Sequence, residues 1–214
     1  MAAARWRLQE PEPPDEGPVV ESLSEEQRVL DVRVGALRLT HTSDFEAVRA
    51  EIDRVDASGS RLPGATLRDV RIRGGECSNA AIPDARLRRI HAADVGATGL
   101  DASGASMEDV RLRGCKFRLA LGFGARLTRC VFEACDLREA DFEGAVFDRV
   151  VFRDCDLTAA RLGSVDLGRC DIRGSRVEGL VVSPDRLQGL VVDPTQLPTF
   201  ARVLGLDVQD TPRP

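Results

Sequence analysis

The chain has 214 residues, of which 43% are hydrophobic and 30% are charged, and its formal net charge is -5 at pH 7. No stretch approaches the ~18 to 20 consecutive apolar residues that cross a bilayer as a helix, so a helical membrane protein is excluded. Residues 1–18 contain prolines and glutamates but no apolar core of a secretion signal, so we expect a cytoplasmic protein.

The first two segments are less regular than the rest of the chain. The polar, proline-rich composition of residues 1–18 predicts a disordered tail. Residues 19–59 permit a helix, but they also contain apolar pairs that repeat at a spacing of five. These pairs are Phe45 with Ala47, Ala50 with Ile52, and Val55 with Ala57. We therefore favour an irregular N-terminal cap whose first coils lead into the repeat of the next segment.

Residues 60–184 have a sustained period of five. Every fifth residue from Leu62 to Val182 is uncharged, and most of these residues are large and apolar. The residue two places earlier is usually small, as Ala65 is before Leu67. A helix needs apolar residues at a spacing of 3.6 and a flat strand at a spacing of two, so neither fits. A chain that makes a short extended step and then turns fits the pattern, and four such steps close a square coil.

Successive coils of this kind pair as parallel strands about 4.8 Å apart, so residues 60–184 predict about six coils in a rod of roughly 30 Å. The fold class predicted is all-β: a right-handed quadrilateral parallel β-helix with a short C-terminal capping helix. Every fifth residue forms a central inward column, and the residue two places earlier forms a second inward column. In one stretch the usual sizes in these two columns are reversed, so that a large residue precedes a small central one. The large residues are Ile90, Val95 and Leu100, and the small centres are Ala92, Ala97 and Ala102. We expect this swap to conserve core volume and leave the core filled.

The six cysteines occupy the same columns. Cys77 lies in the central column, and the other five lie in the small inward column: Cys115, Cys130, Cys135, Cys155 and Cys170. Their spacings lack the paired short intervals of a zinc site, so we expect core residues and neither a metal nor a cofactor. No catalytic partner in the sequence accompanies His41 or His91. We therefore predict that the protein is not an enzyme.

Residues 185–214 are predicted to cover the open C-terminal end of the rod. Asp193 can N-cap a helix, Pro194 suits its first position and Gln196 completes a capping-box spacing. An apolar helix face comes next, with Gly205 as the stop signal. The residues of this segment predicted to cap or dimerise are Leu197, Phe200, Ala201, Leu204 and Leu206. Two interpretations stay open: a cap within one chain, or a cap that also forms a dimer.

The repeats resemble those of the pentapeptide-repeat family, in which a small residue, Asp or Asn, and Leu or Phe precede two polar residues. Residues 135–137, 140–142, 155–157 and 170–172 carry the resemblance most closely. The Asp or Asn position is instead filled elsewhere by Thr66, Arg71, Arg86 and Arg111. The resemblance implies that the aspartates at this position bond to the turn backbone. They are Asp136, Asp141, Asp156, Asp166 and Asp171.

A rod with a short C-terminal helix resembles the gyrase-protecting, quinolone-resistance branch of this family. That resemblance implies a homodimer that imitates a DNA duplex and binds DNA gyrase or another type II topoisomerase, giving protection from quinolone-like or self-made antibiotics. It implies no direct contact with nucleic acid. The rod itself is not acidic, because residues 60–184 contain 18 acidic and 20 basic residues. We therefore predict a protein-interaction scaffold of unknown partner, with gyrase binding as the alternative.

Seven residues are predicted to bind the partner. One face of the rod has four acidic residues, Asp84, Asp101, Asp141 and Glu143, against two basic ones, Arg61 and Arg161. Three large apolar residues, Leu119, Leu121 and Phe123, fall at outward positions. Either a one-residue slip of the register turns these three side chains inward, or they form an exposed patch that meets a partner.

Overall fold

The structure is a computed structural model, and it describes residues 7–12, 14, 17–24 and 28–207. Within these ranges the chain forms nine β-strands and then a short helical segment. The strands are β1 (Val19–Ser24), β2 (Arg28–Arg38), β3 (Glu46–Ile52), β4 (Val55–Asp56), β5 (Thr66–Glu76), β6 (Arg86–Gly96), β7 (Ser106–Arg113), β8 (Arg126–Glu133) and β9 (Val146–Arg153). Two 3-10 turns (Pro184–Arg186 and Pro194–Gln196) and helix α1 (Leu197–Val203) complete the described chain. None of the helices in these ranges is long and apolar enough to cross a membrane.

The strands pair in parallel in the order β1-β2-β3-β5-β6-β7-β8-β9, and β4 pairs with β2 and β5. From β3 onward the paired residues are twenty positions apart, as in Glu46 with Thr66 and Thr66 with Arg86. Single bridges at the same interval, such as Asp101 with Leu121, tie the other sides of the coil. Twenty residues are four five-residue sides, so the predicted parallel β-helix is confirmed.

The first coils are shorter than the rest. Val19 pairs with Arg33, which is fourteen residues later, and Arg28 pairs with Glu46, which is eighteen residues later. These strands nevertheless join the same parallel sheet as the regular coils. The region for which the sequence predicts irregular coils therefore extends the β-helix toward its N-terminal end.

The C-terminal half of the rod has a tightly packed core of large centre residues. Leu137, Leu157 and Leu162 are fully buried. The rings of Phe132 and Phe152 stack with centroids 4.9 Å apart, because they occupy the same side of consecutive coils. Burial of each such side chain contributes about 1.5–3 kcal/mol, so this column supplies much of the stability of the rod.

The N-terminal half of the rod is not filled, and the prediction of conserved core volume is wrong there. An apolar cavity of about 190 Å³ lies inside the coils around Ala92, Ala97 and Ala102. Ile90 and Val95 are buried as the swap requires. However, they lie at corner positions, where their side chains do not replace the volume that the three alanines remove from the axis.

The C-terminal segment caps the rod much as its sequence predicts. The Asp193 carboxylate accepts from the Thr195 amide (2.9 Å), and the Gln196 side chain accepts from the Asp193 amide (3.0 Å), which completes the capping box. The Gln196 amide group also donates to the carbonyl oxygens of Ile172 (2.8 Å) and Ser175 (2.7 Å). Gln196 thus supplies a donor to the Ser175 carbonyl oxygen and a second donor to that of Ile172, which also accepts from the Ser175 amide (3.2 Å).

Helix α1 adds an apolar lid to this cap. Phe200 is buried and belongs to the core, whereas Leu197, Leu204 and Leu206 are exposed. The chain turns at Gly205, which has a φ of 76° and donates its amide to the Arg202 carbonyl oxygen (2.9 Å). The left-handed backbone at this position suits glycine and ends the helix as predicted.

The described part of the N-terminal tail contacts the rod, although the sequence predicts disorder for residues 1–18. The amide of Gln9 donates to Asp109 (3.2 Å) and the amide of Glu12 donates to Asp69 (3.3 Å). The Arg71 guanidinium donates to the carbonyl oxygen of Pro11 (3.4 Å). Two buried carboxylates, two coils apart, therefore offer acceptors along the path of this extended segment. The prediction for residues 1–6, 13, 15 and 16 lies outside the described residues.

These carboxylates belong to ion pairs that join consecutive coils. Arg89 donates to both oxygens of Asp69 (2.5 and 2.6 Å), and Arg129 does the same to Asp109 (both 2.7 Å). The two pairs were not among the features predicted from the sequence. In the sequence, each pair is marked by an acidic residue and a basic residue twenty positions apart, which occupy the same corner of consecutive coils. Bidentate pairs of this geometry are stronger than ordinary surface ion pairs.

The Asp109 carboxyl is buried, and this alone raises its pKa, but hydrogen bonds from Arg129 and from the Gln9 amide hold the pKa below its usual range. We expect Asp109→Asn to lower the free energy of unfolding at pH 7 by about 2 kcal/mol, since hydrogen bonds between charged groups contribute about 1.5–3 kcal/mol. A lowered folded-state pKa stabilises the protein above the unfolded-state pKa, and this contribution is lost as the pH falls through the folded-state value.

Urea unfolding of wild type and variant at several pH values measures this difference. The difference in the free energy of unfolding between wild type and Asp109→Asn is expected to be largest at pH 7. It is expected to decrease below pH ~4, the usual range for the pKa of an aspartate. Asp94→Asn is the matched control and is expected to have little effect, because Asp94 is an exposed residue of β6. An equally large gap at low and neutral pH would contradict the assignment.

Candidate interaction surface

Leu119, Leu121 and Phe123, which we call the apolar patch, lie side by side on the outside of one coil. Leu121 is 46% exposed and Phe123 is 64% exposed. Ala120 is buried between the two leucines, and Gly122 points into the rod. The register therefore does not slip. The sequence left two interpretations open, an inward turn of these side chains or an exposed patch, and the structure contains the exposed patch.

Gly122 explains why the register is kept. A Cβ atom at this position would lie 2.6 Å from Cδ1 of Phe142 in the next coil. The ring of Phe142 thus occupies the space that a side chain at position 122 would need. Turning Leu121 or Phe123 inward would force a large side chain against this ring, so the inward position is kept for glycine and the large residues stay outside.

Turn geometry does not account for Leu119. The backbone of Leu119 is left-handed, with a φ of 58°. The same corner in the three preceding coils is filled by Gly59, Asn79 and Gly99, which tolerate this conformation. A bulky residue is unfavourable there. However, Glu139 and Ala159 have the same left-handed backbone at this corner in the next two coils, so the conformation is regular in the rod. The exposed apolar side chain of Leu119 is the feature that folding does not explain.

The predicted acidic residues lie on the same side of the rod as the apolar patch. Asp101, Leu121 and Asp141 form consecutive bridges in one column, and Arg161 is the next residue in that column. Glu143 occupies the position of Phe123 one coil further on, where its carboxylate lies over Gly163. Asp84 lies at a turn of an earlier coil, over Gly104. All seven residues that the sequence singled out therefore belong to one side of the molecule.

Two of the four carboxylates are already engaged within the rod. Asp101 accepts from the Ser103 amide (3.0 Å), and Asp141 accepts from the Glu143 amide (2.9 Å). Asp141 also lies 3.2 Å from Arg161. The charge available to a partner thus comes mainly from Glu143 and Asp84, at the rim of the apolar patch.

The bond from a carboxylate to the amide two residues later recurs along the rod. The predicted aspartates make it at four positions besides Asp141: Asp136, Asp156, Asp166 and Asp171. These side chains stabilise turns whose amides face outward. The array of carboxylates is therefore structural, as the family resemblance implies.

The cysteines are core residues whose thiols have no exposed nucleophilic position. Burial raises the pKa of Cys130 to about 12, and it does the same for Cys170. The Cys135 thiol donates to the carbonyl oxygens of Leu112 and Glu133 (both 3.4 Å). Among the residues that the structure describes, no three His, Cys, Asp or Glu side chains are grouped to hold a metal ion.

The fold defines the class of protein: a parallel β-helix of stacked five-residue sides. A family model described as Pentapeptide repeats, in eight copies, matches residues 125–163 and 135–174. These residues coincide with the tightly packed half of the rod. Residues 125–174 are thus built from pentapeptide repeats of the kind that this model describes.

Similar solved structures have low sequence identity to this chain. HetL, a pentapeptide repeat protein involved in heterocyst differentiation regulation in the cyanobacterium Nostoc sp. strain PCC 7120, is 16% identical, with coverage of 81% of this chain and 87% of that chain and a TM-score of 0.43. Full-length QnrB1, a plasmid-mediated fluoroquinolone resistance protein, is 17% identical, with coverage of 89% and 100% and a TM-score of 0.34. The comparison with curated proteins gave no match.

The contact between Gly122 and Phe142 can be tested by substitution. We expect Gly122→Ala to lower the free energy of unfolding by about 1–3 kcal/mol, because an added methyl group in a packed core forces its neighbours to move. Phe142→Leu removes the ring atoms that the methyl group meets, so Gly122→Ala is expected to cost less in that background. Thermal unfolding of the four proteins of this double-mutant cycle measures the coupling. Strictly additive losses in the free energy of unfolding would show that the Phe142 ring does not restrict the side chain at position 122.

Proposed function

We propose that this protein is a non-enzymatic protein-interaction scaffold that binds its partner through the apolar patch. The observation that carries the proposal is the exposure of three large apolar side chains, Leu119, Leu121 and Phe123, next to one another on one coil. Clustered apolar surface of this kind marks protein interaction sites. A rod built from paired coils holds the patch in place, so little conformational entropy is lost on binding.

The rim indicates the chemistry of the partner. Glu143 and Asp84 carry negative charge beside the apolar patch, so the complementary surface has an apolar centre flanked by arginine or lysine side chains. Five of the six cysteines are buried, and the carboxylates of Asp101 and Asp141 are bonded to turns, so these groups serve the fold. Six unpaired cysteines also fit the reducing cytoplasm, where we propose that the protein acts.

We expect Leu121→Asp with Phe123→Asp to weaken partner binding at least about tenfold, because each change places a charge in the centre of an apolar interface. Both residues point outward, so the melting temperature is expected to stay near that of wild type. Quantitative affinity capture from extracts of the native host, with the enriched protein then purified for titration, measures the effect.

Val181→Asp is the matched control. Val181 lies in the same column as Leu121, three coils further on, and both side chains are 46% exposed. The control is expected to bind the partner as wild type does. Equal binding by wild type and the Leu121→Asp, Phe123→Asp variant would refute the docking surface.

A second candidate function is binding to DNA gyrase or another type II topoisomerase, with protection from quinolone-like or self-made antibiotics. The four acidic residues on the side of the apolar patch favour it, because a protein that docks where DNA binds must offer negative charge there. They are Asp84, Asp101, Asp141 and Glu143. Since the rod as a whole is nearly neutral, this one face rather than the whole rod would imitate the duplex.

Supercoiling by purified DNA gyrase, with and without a quinolone, distinguishes the two candidates. The gyrase hypothesis predicts that the wild-type protein inhibits or protects the enzyme, and that Asp84→Asn with Glu143→Gln weakens the effect most at low salt. Neither inhibition nor protection by the wild-type protein would remove this candidate and leave the general scaffold in place.

We also propose that two copies associate through the C-terminal segment. Phe200 is already buried in the cap, whereas Leu197, Leu204 and Leu206 are exposed around it. Three exposed leucines within ten residues form a continuous apolar surface at the end of the rod, and a second copy can cover it by twofold symmetry. The residues that cap and the residues that associate are thus different members of one segment.

Light scattering is expected to give a mass twice the 23.2 kDa of one chain for the wild-type protein. Leu204→Asp with Leu206→Asp is expected to give a single chain, since both side chains point away from the core. Val181→Asp, remote from this segment, keeps the dimer mass. A wild-type mass of one chain, or a variant that stays dimeric, would argue against this interface.

A further inference from the structure

The N-terminal half of the rod contains an apolar space along its axis. Centre residues of these coils, such as Leu67, Ile72 and Leu87, point inward but are only partly buried. The corresponding residues of later coils, such as Leu137 and Leu157, are fully buried. The difference arises because the inner ends of the earlier side chains border the cavity of about 190 Å³.

Small centre residues produce the cavity. Ala102 and Gly122 are consecutive in the same column, where Leu62 and Ile82 stand in the two preceding coils. Ala92 and Ala97 remove side-chain volume from two other sides of the same coil as Ala102. The rod cannot contract to close this space, because its coils are held at a fixed separation by backbone pairing.

The wall of the cavity has almost no polar atoms that could form hydrogen bonds with water. Its inner surface consists of aliphatic and aromatic side chains, among them Met107, Leu112 and Phe117. The nearby backbone groups are already paired between coils: the amide of Ile82 donates to the Asp101 carbonyl oxygen, and that of Ala102 donates to the Leu121 carbonyl oxygen (both 2.7 Å). A buried water needs about two to four polar partners, so this space stays dry.

We propose that the cavity is an internal binding site for small apolar molecules that lack hydrogen-bonding groups. An apolar cavity of about 150 Å³ in a protein core binds benzene or xenon, and the space in this rod is larger. An occupant gains dispersion contacts that the lining side chains otherwise lack. Leu121 of the apolar patch also borders this space, but the patch is exposed on the outside of the rod, whereas the proposed site lies on its axis.

Xenon is the probe that tests the proposal. Crystals pressurised with xenon are expected to show it beside Met107 and Ala102, and methyl NMR signals of Met107 and Ile82 are expected to shift on exposure to the gas in solution. Ala102→Leu fills the space with a residue that this column accepts at position 62, and it is expected to lower the xenon affinity at least about tenfold by steric exclusion. Ala92→Val, on a different side of the coil, is a second filling variant should Ala102→Leu fold poorly.

Ala81→Leu is the matched control, because it adds the same atoms at an outward position of a neighbouring coil. The control is expected to bind xenon as wild type does. Absence of xenon from the wild-type cavity, ordered water in its place, or unchanged binding in both filling variants would overturn the proposal. The outcome is independent of partner binding, which the apolar patch variants test separately.

Discussion

The rest of the structure depends on one constraint, the parallel backbone pairing of each coil with the next at an interval of twenty residues. This pairing satisfies the amides and carbonyl oxygens of a chain that turns every five residues, and it fixes which side chains stack. Like residues therefore form columns: Phe132 stacks on Phe152, and Arg129 reaches back to Asp109. The ends of the rod are the places where pairing stops, and at the C-terminal end the Gln196 side chain donates to the carbonyl oxygens of Ile172 and Ser175.

A fixed coil separation also explains why local changes in residue size are not absorbed. In a helical bundle, elements can move together when a core residue shrinks, but stacked coils cannot approach one another. Where Phe142 extends over Gly122, the neighbouring large residues are kept outside and form the apolar patch. Where Ala92, Ala97 and Ala102 fall in one coil, the rod keeps a cavity. The two features proposed for binding thus share one physical origin.

The residues involved in folding and those proposed for binding are separable. Asp101 and Asp141 stabilise turns, and the cysteines fill the small inward column, so neither group is free for chemistry. Leu119, Leu121 and Phe123 have no such structural role, and their side chains are exposed on the outside of the rod. Substitutions at outward positions can therefore test function without loss of the fold, and substitutions at Gly122 or Asp109 report on the fold.

The period of five by itself determined the β-helix and its inward columns, because every coil repeats the same local environment. The turn-bonding aspartates were implied by the resemblance to pentapeptide repeats. The capping box at Asp193 and Gln196 could also be predicted from the sequence, since it depends on residues close together in the chain. Three features were decided only by the tertiary structure. The exposure of the apolar patch depends on the Phe142 ring one coil away, and the cavity depends on volumes summed across four sides of a coil. The contact of the tail with the rod joins Gln9 to Asp109, 100 positions apart, and no repeat of the sequence relates these two residues. The ion pairs of Asp69 and Asp109 follow the twenty-residue interval, but the interval alone does not specify which opposite charges approach each other.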